Sequence, residues 1–323
     1  MIGTEPIQQI LTAAFYTPYI EDEKSLSILL AAKVESGKTE LVSRYKENPG
    51  VKYLTDATAF SLIRDMSTEI QMGEVKTMIF PDLLTPFAKD SSTVGSFIAF
   101  LTNLSEEGIA EMHSGFLEEG GIVMTSPQVV SIIGCIPKDQ LEDRRHKWAR
   151  AGFMSRMLPV SYRYSRQMIT EIKDSIKSRV YISDSPIALD VEWIPKTKVT
   201  LPSGIEIIKQ KVPVELPKYL AEHLSDAEEK IAALDKTKMN YTYGFRLQKQ
   251  LQRLVMGYAL SQQRDYVTGA DIDVFWDEMF PFLNLDYTKL LCPGEKDYED
   301  ADDLAEKKRL EEAEKKKLLE GKK

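Results

Sequence analysis

The residues that most plainly encode chemistry are Gly37, Lys38 and Thr39, which close the run Ala32-Lys33-Val34-Glu35-Ser36-Gly37-Lys38-Thr39. The run fits a phosphate-binding loop with alanine in place of the first glycine. In such a loop successive backbone N–H groups wrap phosphate oxygens, and the N-terminus of the following helix adds its positive end. Lys38 then reaches the β- and γ-phosphates, and the Thr39 hydroxyl ligates Mg²⁺. The nucleotide-contacting set expected from the spacing is Glu35, Ser36, Gly37, Lys38, Thr39 and Glu40, with ATP and Mg²⁺ as the bound groups. Gly37 leaves room for backbone to approach phosphate. Ala32 makes its turn without glycine's freedom.

A metal beside such a loop needs a carboxylate on the next strand but one. Asp82 closes the apolar run Thr77-Met78-Ile79-Phe80-Pro81 and fills that role, so Thr39 and Asp82 form the expected metal side. Many enzymes of this kind follow the acid with a glutamate that polarises the attacking water; here the next residue is Leu83. Asp56, after the second strand, has two readings. It is a substitute carboxylate, because parallel strands end on one edge of the sheet, or it is a turn or helix-capping residue. Downstream stand the basic residues Arg144, Arg145, Arg150 and Arg156, the last within Gly152-Phe153-Met154-Ser155-Arg156-Met157.

The elements that must hold these residues alternate. Residues 5–20 read as a helix, and Ser25–Ala32 as a strand leading into the loop and a helix from Lys38. Val51–Leu54, Thr77–Phe80 and Gln128–Ile136 read as three further strands, with helical spacing over Val94–Leu104. Strand–helix alternation predicts a parallel sheet covered on both faces. After Ser165–Arg179, which reads as helical, 180–214 alternates polar and apolar residues around the turn Leu201-Pro202-Ser203-Gly204, so a β-hairpin is expected. Helices follow at 217–235, 244–263 and 268–282, the last with Thr268 as N-cap. The expected division is an ATPase core over 1–165, a linker helix and hairpin over 166–215, a helical lid over 216–292 and a charged tail over 293–323. The tail reads as a solvated segment or a partner-binding helix.

The 323 residues include 43% apolar and 28% charged side chains, an ordinary globular balance. No apolar run approaches the roughly 18 residues of a membrane span. Met1-Ile2-Gly3-Thr4-Glu5-Pro6 lacks the basic start of a signal peptide. Cys135 and Cys292 make no disulfide framework or metal spacing. No membrane contact and a cytoplasmic location are therefore expected. The net charge of −8 confines any contact with nucleic acid to a local surface.

With the phosphate loop in place, Ser155-Arg156 and two downstream segments resemble the AAA+ ATPases, in particular the branch of the MCM replicative helicases. The segments are Phe245-Arg246-Leu247 through Leu251-Gln252-Arg253-Leu254 to Tyr258-Ala259-Leu260, and Val267-Thr268 with Asp271. The resemblance implies a three-layer α/β P-loop fold with a C-terminal helical lid and a small hairpin insertion. It makes Arg156 a finger acting on a neighbour's γ-phosphate and Arg246 the sensor arginine of the lid. Arg253 matches the second arginine of that lid, but its own reading is a solvent-facing residue. The resemblance further implies a homo-oligomer, a ring or filament, acting on DNA as a small motor or helicase loader, of the compact sort that phages and mobile elements encode. The alternative is a slow-hydrolysing switch that recruits a partner protein. The chain departs from that branch at Leu83 and at Gly134-Cys135-Ile136-Pro137, where an Asn would precede Pro. Ser131 and Lys138 are the nearest polar substitutes. Lysines 196, 198, 209 and 211 of the hairpin either touch phosphates or guard a strand edge.

Overall fold

The computed structural model describes residues 3–112, 122–179, 185–200, 204, 206–234, 245–285 and 288–291, with 295, 304, 308 and 312. By compactness the chain divides into two units. One is Gly3–Arg163 with Ser183–Thr288; the other is Tyr164–Ile182 with Lys289–Lys323. Residues 183–288, shared in the sequence reading between hairpin and lid, thus form one unit with the residues of the phosphate loop.

Helix α1 (Glu5–Tyr16) carries proline in its first turn and buries Ile7, Ile10, Leu11 and Ala14 at helical spacing. Strand β1 (Ser27–Ala32) is buried at every position, as a central parallel strand must be. Helix α2 (Lys38–Ser43) follows at once. Next come β2 (Val51–Tyr53), α3 (Ala59–Gln71), β3 (Thr77–Phe80), α4 (Leu84–Phe87) and α5 (Ser91–Glu106). Thr58 and Ser61 exchange the two hydrogen bonds of a capping box at the start of α3. Asp90 accepts from the N–H groups of Ser92 and Thr93 to open α5. The next elements are β4 (Ile109–Met112), β5 (Ile122–Gln128), β6 (Ser131–Pro137), α6 (Lys138–Arg150) and β7 (Met157–Tyr164). The rest are α7 (Arg166–Lys177), β8 (Lys196–Thr200), β9 (Glu206–Gln210), α8 (Lys218–Leu234), α9 (Phe245–Ser261), α10 (Gly269–Val274) and β10 (Thr288–Leu290).

Six strands form one sheet in the order β10-β7-β1-β6-β3-β2. The ladders β7–β1, β1–β6, β6–β3 and β3–β2 are parallel, pairing Ser27 with Met157, Ala32 with Pro137, and Thr77 with Ser131. Side chains alternate across a strand. Leu29 and Ala31 therefore enter one core with Leu62, Ile70, Leu101 and Trp148 of α3, α5 and α6, while Ile28 and Leu30 are buried on the other face. There α1 packs on β1 and on α9. The α1–α9 contact is close because of Gly257: a Cβ at that position would lie 2.3 Å from the Ala13 carbonyl oxygen.

The structure corrects the sequence reading at several points. Gln128–Ile136 is two strands, not one: β5 ends at Gln128, and Val130 donates to the Leu104 carbonyl before β6 begins. The antiparallel pair β4–β5 and the core strand β7 were not anticipated. Thr268 does stand before α10, and Asp271 accepts from both its N–H and its hydroxyl at 2.7 and 2.8 Å. The helix expected through 282 ends early, however. After Val274 the backbone widens to a π turn over Phe275–Met279 and tightens to a 3₁₀ turn at Phe280–Phe282, where Pro281 has no N–H to give. Arg253 does not face solvent. It is buried and its Nε donates to Glu23 at 2.9 Å. Strands β8 and β9 pair antiparallel, Lys196 with Gln210. The Leu201-Pro202-Ser203 turn, Cys292 and most of 293–323 lie outside the described residues. No helix among the described residues is long and apolar enough to cross a membrane.

Candidate functional site

The phosphate-loop residues leave β1 at the carboxyl edge of the sheet. Two backbone positions take left-handed conformations, Glu35 at φ 62° and Gly37 at φ 77°. Alternating right- and left-handed residues aim successive N–H groups into one concavity, the geometry of an anion nest. Glu35 holds that conformation as a non-glycine residue, and its side chain is exposed, as is that of Glu40. Helix α2 is only six residues long, so the helix dipole adds less than a long helix would. The loop's own amides and Lys38 carry the electrostatics.

Lys38 is buried, and its ammonium donates to the Ala32 carbonyl at 3.1 Å, the Lys33 carbonyl at 2.6 Å and the Ser36 hydroxyl at 3.3 Å. Burial lowers its pKa from the ordinary value, opposed by Cys135 and Asp82. Three acceptors of the same loop fold the cation over the nest. A phosphate would replace neutral carbonyl acceptors by a charged one, a stronger partner. Ser36 is fixed from outside the loop: the Tyr162 hydroxyl, near the end of β7, donates to its carbonyl at 2.9 Å.

Thr39 and the end of β3 meet at this edge. The Thr39 hydroxyl reaches the Pro81 carbonyl at 3.4 Å, beside Asp82, and Asp82 is close enough to act on the Lys38 charge. Asp82 is oriented by the Leu84 N–H, which donates to its Oδ1 at 2.9 Å. A hydroxyl and a carboxylate are hard oxygen donors, the set a Mg²⁺ ion takes while keeping its other waters. Asp56 lies on the same edge but after β2, three strands from β1, or roughly 14 Å across the sheet. It pairs with Lys89 at 2.8 Å.

The position after Asp82 is closed to a carboxylate. Leu83 is fully buried, its N–H donates to the Cys135 carbonyl at 2.9 Å, and its side chain fills the space that Gly134 leaves. A Cβ on Gly134 would lie 2.5 Å from Leu83 Cδ1. The two departures noted in the sequence, Leu83 and Gly134, are one packing unit. Of the two polar substitutes, Ser131 lies at the amino edge, donating to the Leu26 carbonyl at 2.5 Å, and so stands away from the phosphate loop. Lys138 follows Pro137, which pairs with Ala32, and so stands beside it.

Arg156 and Arg246 occupy the opposite edge. Arg156 immediately precedes Met157, the partner of Ser27 at the start of β1, about 16 Å of strand away from Ala32. Its Nε lies 3.1 Å from Glu106 in an ion-pair contact without hydrogen-bond geometry, and its guanidinium also donates to the Gly152 carbonyl at 2.9 Å. Arg246 donates to Glu106 and to the Ser155 hydroxyl, both at 2.9 Å. The structure thus joins Lys38, Thr39 and Asp82 at one edge, and Arg156, Arg246, Ser155 and Glu106 at the other. Glu106 and Tyr162 escaped the sequence reading. Tyr162 would have emerged from recognising Met157–Tyr164 as a strand; Glu106 has no local signal, since its partners lie far along the chain.

No family model matches the chain, and no curated protein matches it. Among solved structures it is similar to a Cytophaga hutchinsonii protein named "putative ATPase", at 11% identity and a TM-score of 0.42, over 86% of this chain and 82% of that one.

Proposed function

We propose that the chain is an ATP-binding AAA+-type P-loop ATPase whose catalytic site is completed by a second copy of itself. The observation that supports this most is the division of the functional groups between the two edges of the sheet. Lys38, Ser36, Gly37 and Thr39 would hold the phosphates, with Glu35 and Glu40 flanking them. Thr39 and Asp82 would hold Mg²⁺, which neutralises phosphate charge when bound. Arg156 and Arg246 stand a strand's length from that loop, so they serve phosphate chemistry only on a neighbouring copy. Action on nucleic acid, as a small replication-type motor or loader, draws on the likeness of the Arg156 and Arg246 segments to the MCM branch. A second reading, a slow-hydrolysing switch that recruits a partner protein, is favoured by Leu83. Water activation has no carboxylate after Asp82 and falls to Asp56 or to a group of the neighbour.

Subunit mixing tests the shared site. Lys38→Ala and Arg156→Ala chains should each be inactive, and mixing them should restore part of the ATP turnover, since some interfaces then pair an intact loop with an intact arginine. Mixtures no more active than either parent, although the chains co-assemble, would overturn the shared-site reading. Stimulation of the wild-type rate by single-stranded DNA favours the motor, and a near-zero rate with or without DNA favours the switch.

A further inference from the structure

At the amino edge of the sheet, away from the phosphate loop, lies a cavity of about 400 Å³ whose charged lining is Lys24, Lys76, Lys209 and Lys211 on one side of the balance and Glu21, Asp22 and Glu23 on the other. Lys76, Lys209 and Lys211 are placed by backbone structure. The N–H of Lys76 donates to the Gly50 carbonyl at 2.8 Å, and Gly50 leaves room for the lysine stem, since a Cβ there would lie 2.7 Å from Lys76 Cγ. The Lys76 ammonium stands 5.8 Å from the centre of the Tyr19 ring. Lys211 is held by its neighbour Val212, which exchanges backbone hydrogen bonds at 2.9 Å with Tyr19 and Glu21. Lys209 and Lys211 are two apart on extended chain and so share a face. Gln210, between them, turns away and donates to the Val191 carbonyl at 2.6 Å.

The charges here are unbalanced around Lys76. Burial and the like charge of Lys211 hold its pKa at about 8. Lys211 is lowered by burial and by Lys209, with Asp22, Glu21 and Glu23 opposing. Glu23 is already engaged by Arg253 at 2.9 Å. Lys76 and Lys211 are half-buried, and ammonium groups whose charges act on one another in such a place are relieved by an anion between them.

We propose that this cavity is a second anion site, which takes a compact phosphate-class anion on Lys76, Lys211 and Lys209. The carboxylates of Glu21, Asp22 and Glu23 on the same wall disfavour a long polyanion, so the ligand is a small phosphate or pyrophosphate group rather than a nucleic-acid strand. The site is independent of the nucleotide reading, because it lies at the other end of the strands.

The experiment uses full-length Lys38→Ala protein, which disables the phosphate loop, titrated with pyrophosphate in a calorimeter. One pyrophosphate should bind per chain. Adding Lys76→Met, which keeps the apolar stem, should weaken binding about tenfold or more, and adding Lys211→Met should weaken it severalfold. Lys76→Arg should retain most of it. Cooperative unfolding of each variant guards against misfolding, and the Lys211 variant carries the test should the Lys76 variant not fold. Absence of binding in the Lys38→Ala protein, or equal binding after both methionine substitutions, would overturn the proposal.

Discussion

Glu106 Oε1 accepts a hydrogen bond from Arg246 Nε at 2.9 Å, across 140 residues of chain. The same carboxylate is in ion-pair contact with Arg156, which is only 14% exposed at its side chain. One acid therefore holds both arginines of the amino edge. An incoming phosphate must compete with it. Arg156→Ala should leave ATP binding within about twofold and lower assembly-dependent turnover at least tenfold, because an arginine answering transferred charge supplies several orders of magnitude in rate. Turnover measured against protein concentration checks this; an unchanged rate removes Arg156 from the chemistry.

Lys38→Ala should weaken ATP binding by about a hundredfold or more, since it deletes the buried cation over the nest. Titration with a fluorescent ATP analogue reads the loss directly. Tight binding by the variant would refute the loop assignment.

Leu83→Glu should not create a working catalytic acid. The new carboxylate would enter the space beneath Gly134 without a partner, at a cost of about 2–4 kcal/mol. Chemical denaturation should record that loss, with turnover no higher than wild type. A variant as stable as wild type and faster would mean that position 83 faces the nucleotide.

These two positions also mark what could be read beforehand. The phosphate loop, Asp82 and the strands around them are legible because their chemistry is local: a strand, a turn and a few residues in fixed order. The absence of glutamate at 83 is legible too, but its reason is not. That reason is a contact between Leu83 and Gly134, neighbours only once β3 lies beside β6. Sequence reasoning misses β7 because Pro159 stands inside Met157–Tyr164, and a proline within a run argues against a strand. The burial of Arg253 is not legible either, because helical spacing gives the side of a helix, not the acid that a distant loop brings to it.

Gly257→Ala should destabilise the fold by about 1–3 kcal/mol, because the added methyl meets backbone of α1 rather than a movable side chain. Thermal unfolding measures it. A stability equal to wild type would mean that α1 and α9 separate without cost.

Lys76 gives the protein a pH dependence of known sign. Its folded pKa of about 8 lies below the ordinary 10.5. Between those values the unfolded chain binds more protons, so stability rises with pH. Below pH 8 both states are protonated and the cost of burying the ammonium is fully present. Lys76→Met should therefore be the more stable protein at pH 7, by up to about 3 kcal/mol, with the gap closing as pH approaches 10.5. Denaturant midpoints of the two proteins across that range test it; a gap that does not change with pH would show that the amine is not held in a desolvated place.

Strand β7 has Arg156 just before its first residue and Tyr162 near its last, and the Tyr162 hydroxyl holds the Ser36 carbonyl at 2.9 Å. The strand is stiff and hydrogen-bonded along its length to β1. In an assembly where Arg156 answers a neighbour's phosphate, the pull on that arginine has a direct mechanical route to the grip of its own subunit on nucleotide. Tyr162→Phe would cut that route and loosen the loop, because the Ser36 carbonyl loses the hydroxyl that fixes it.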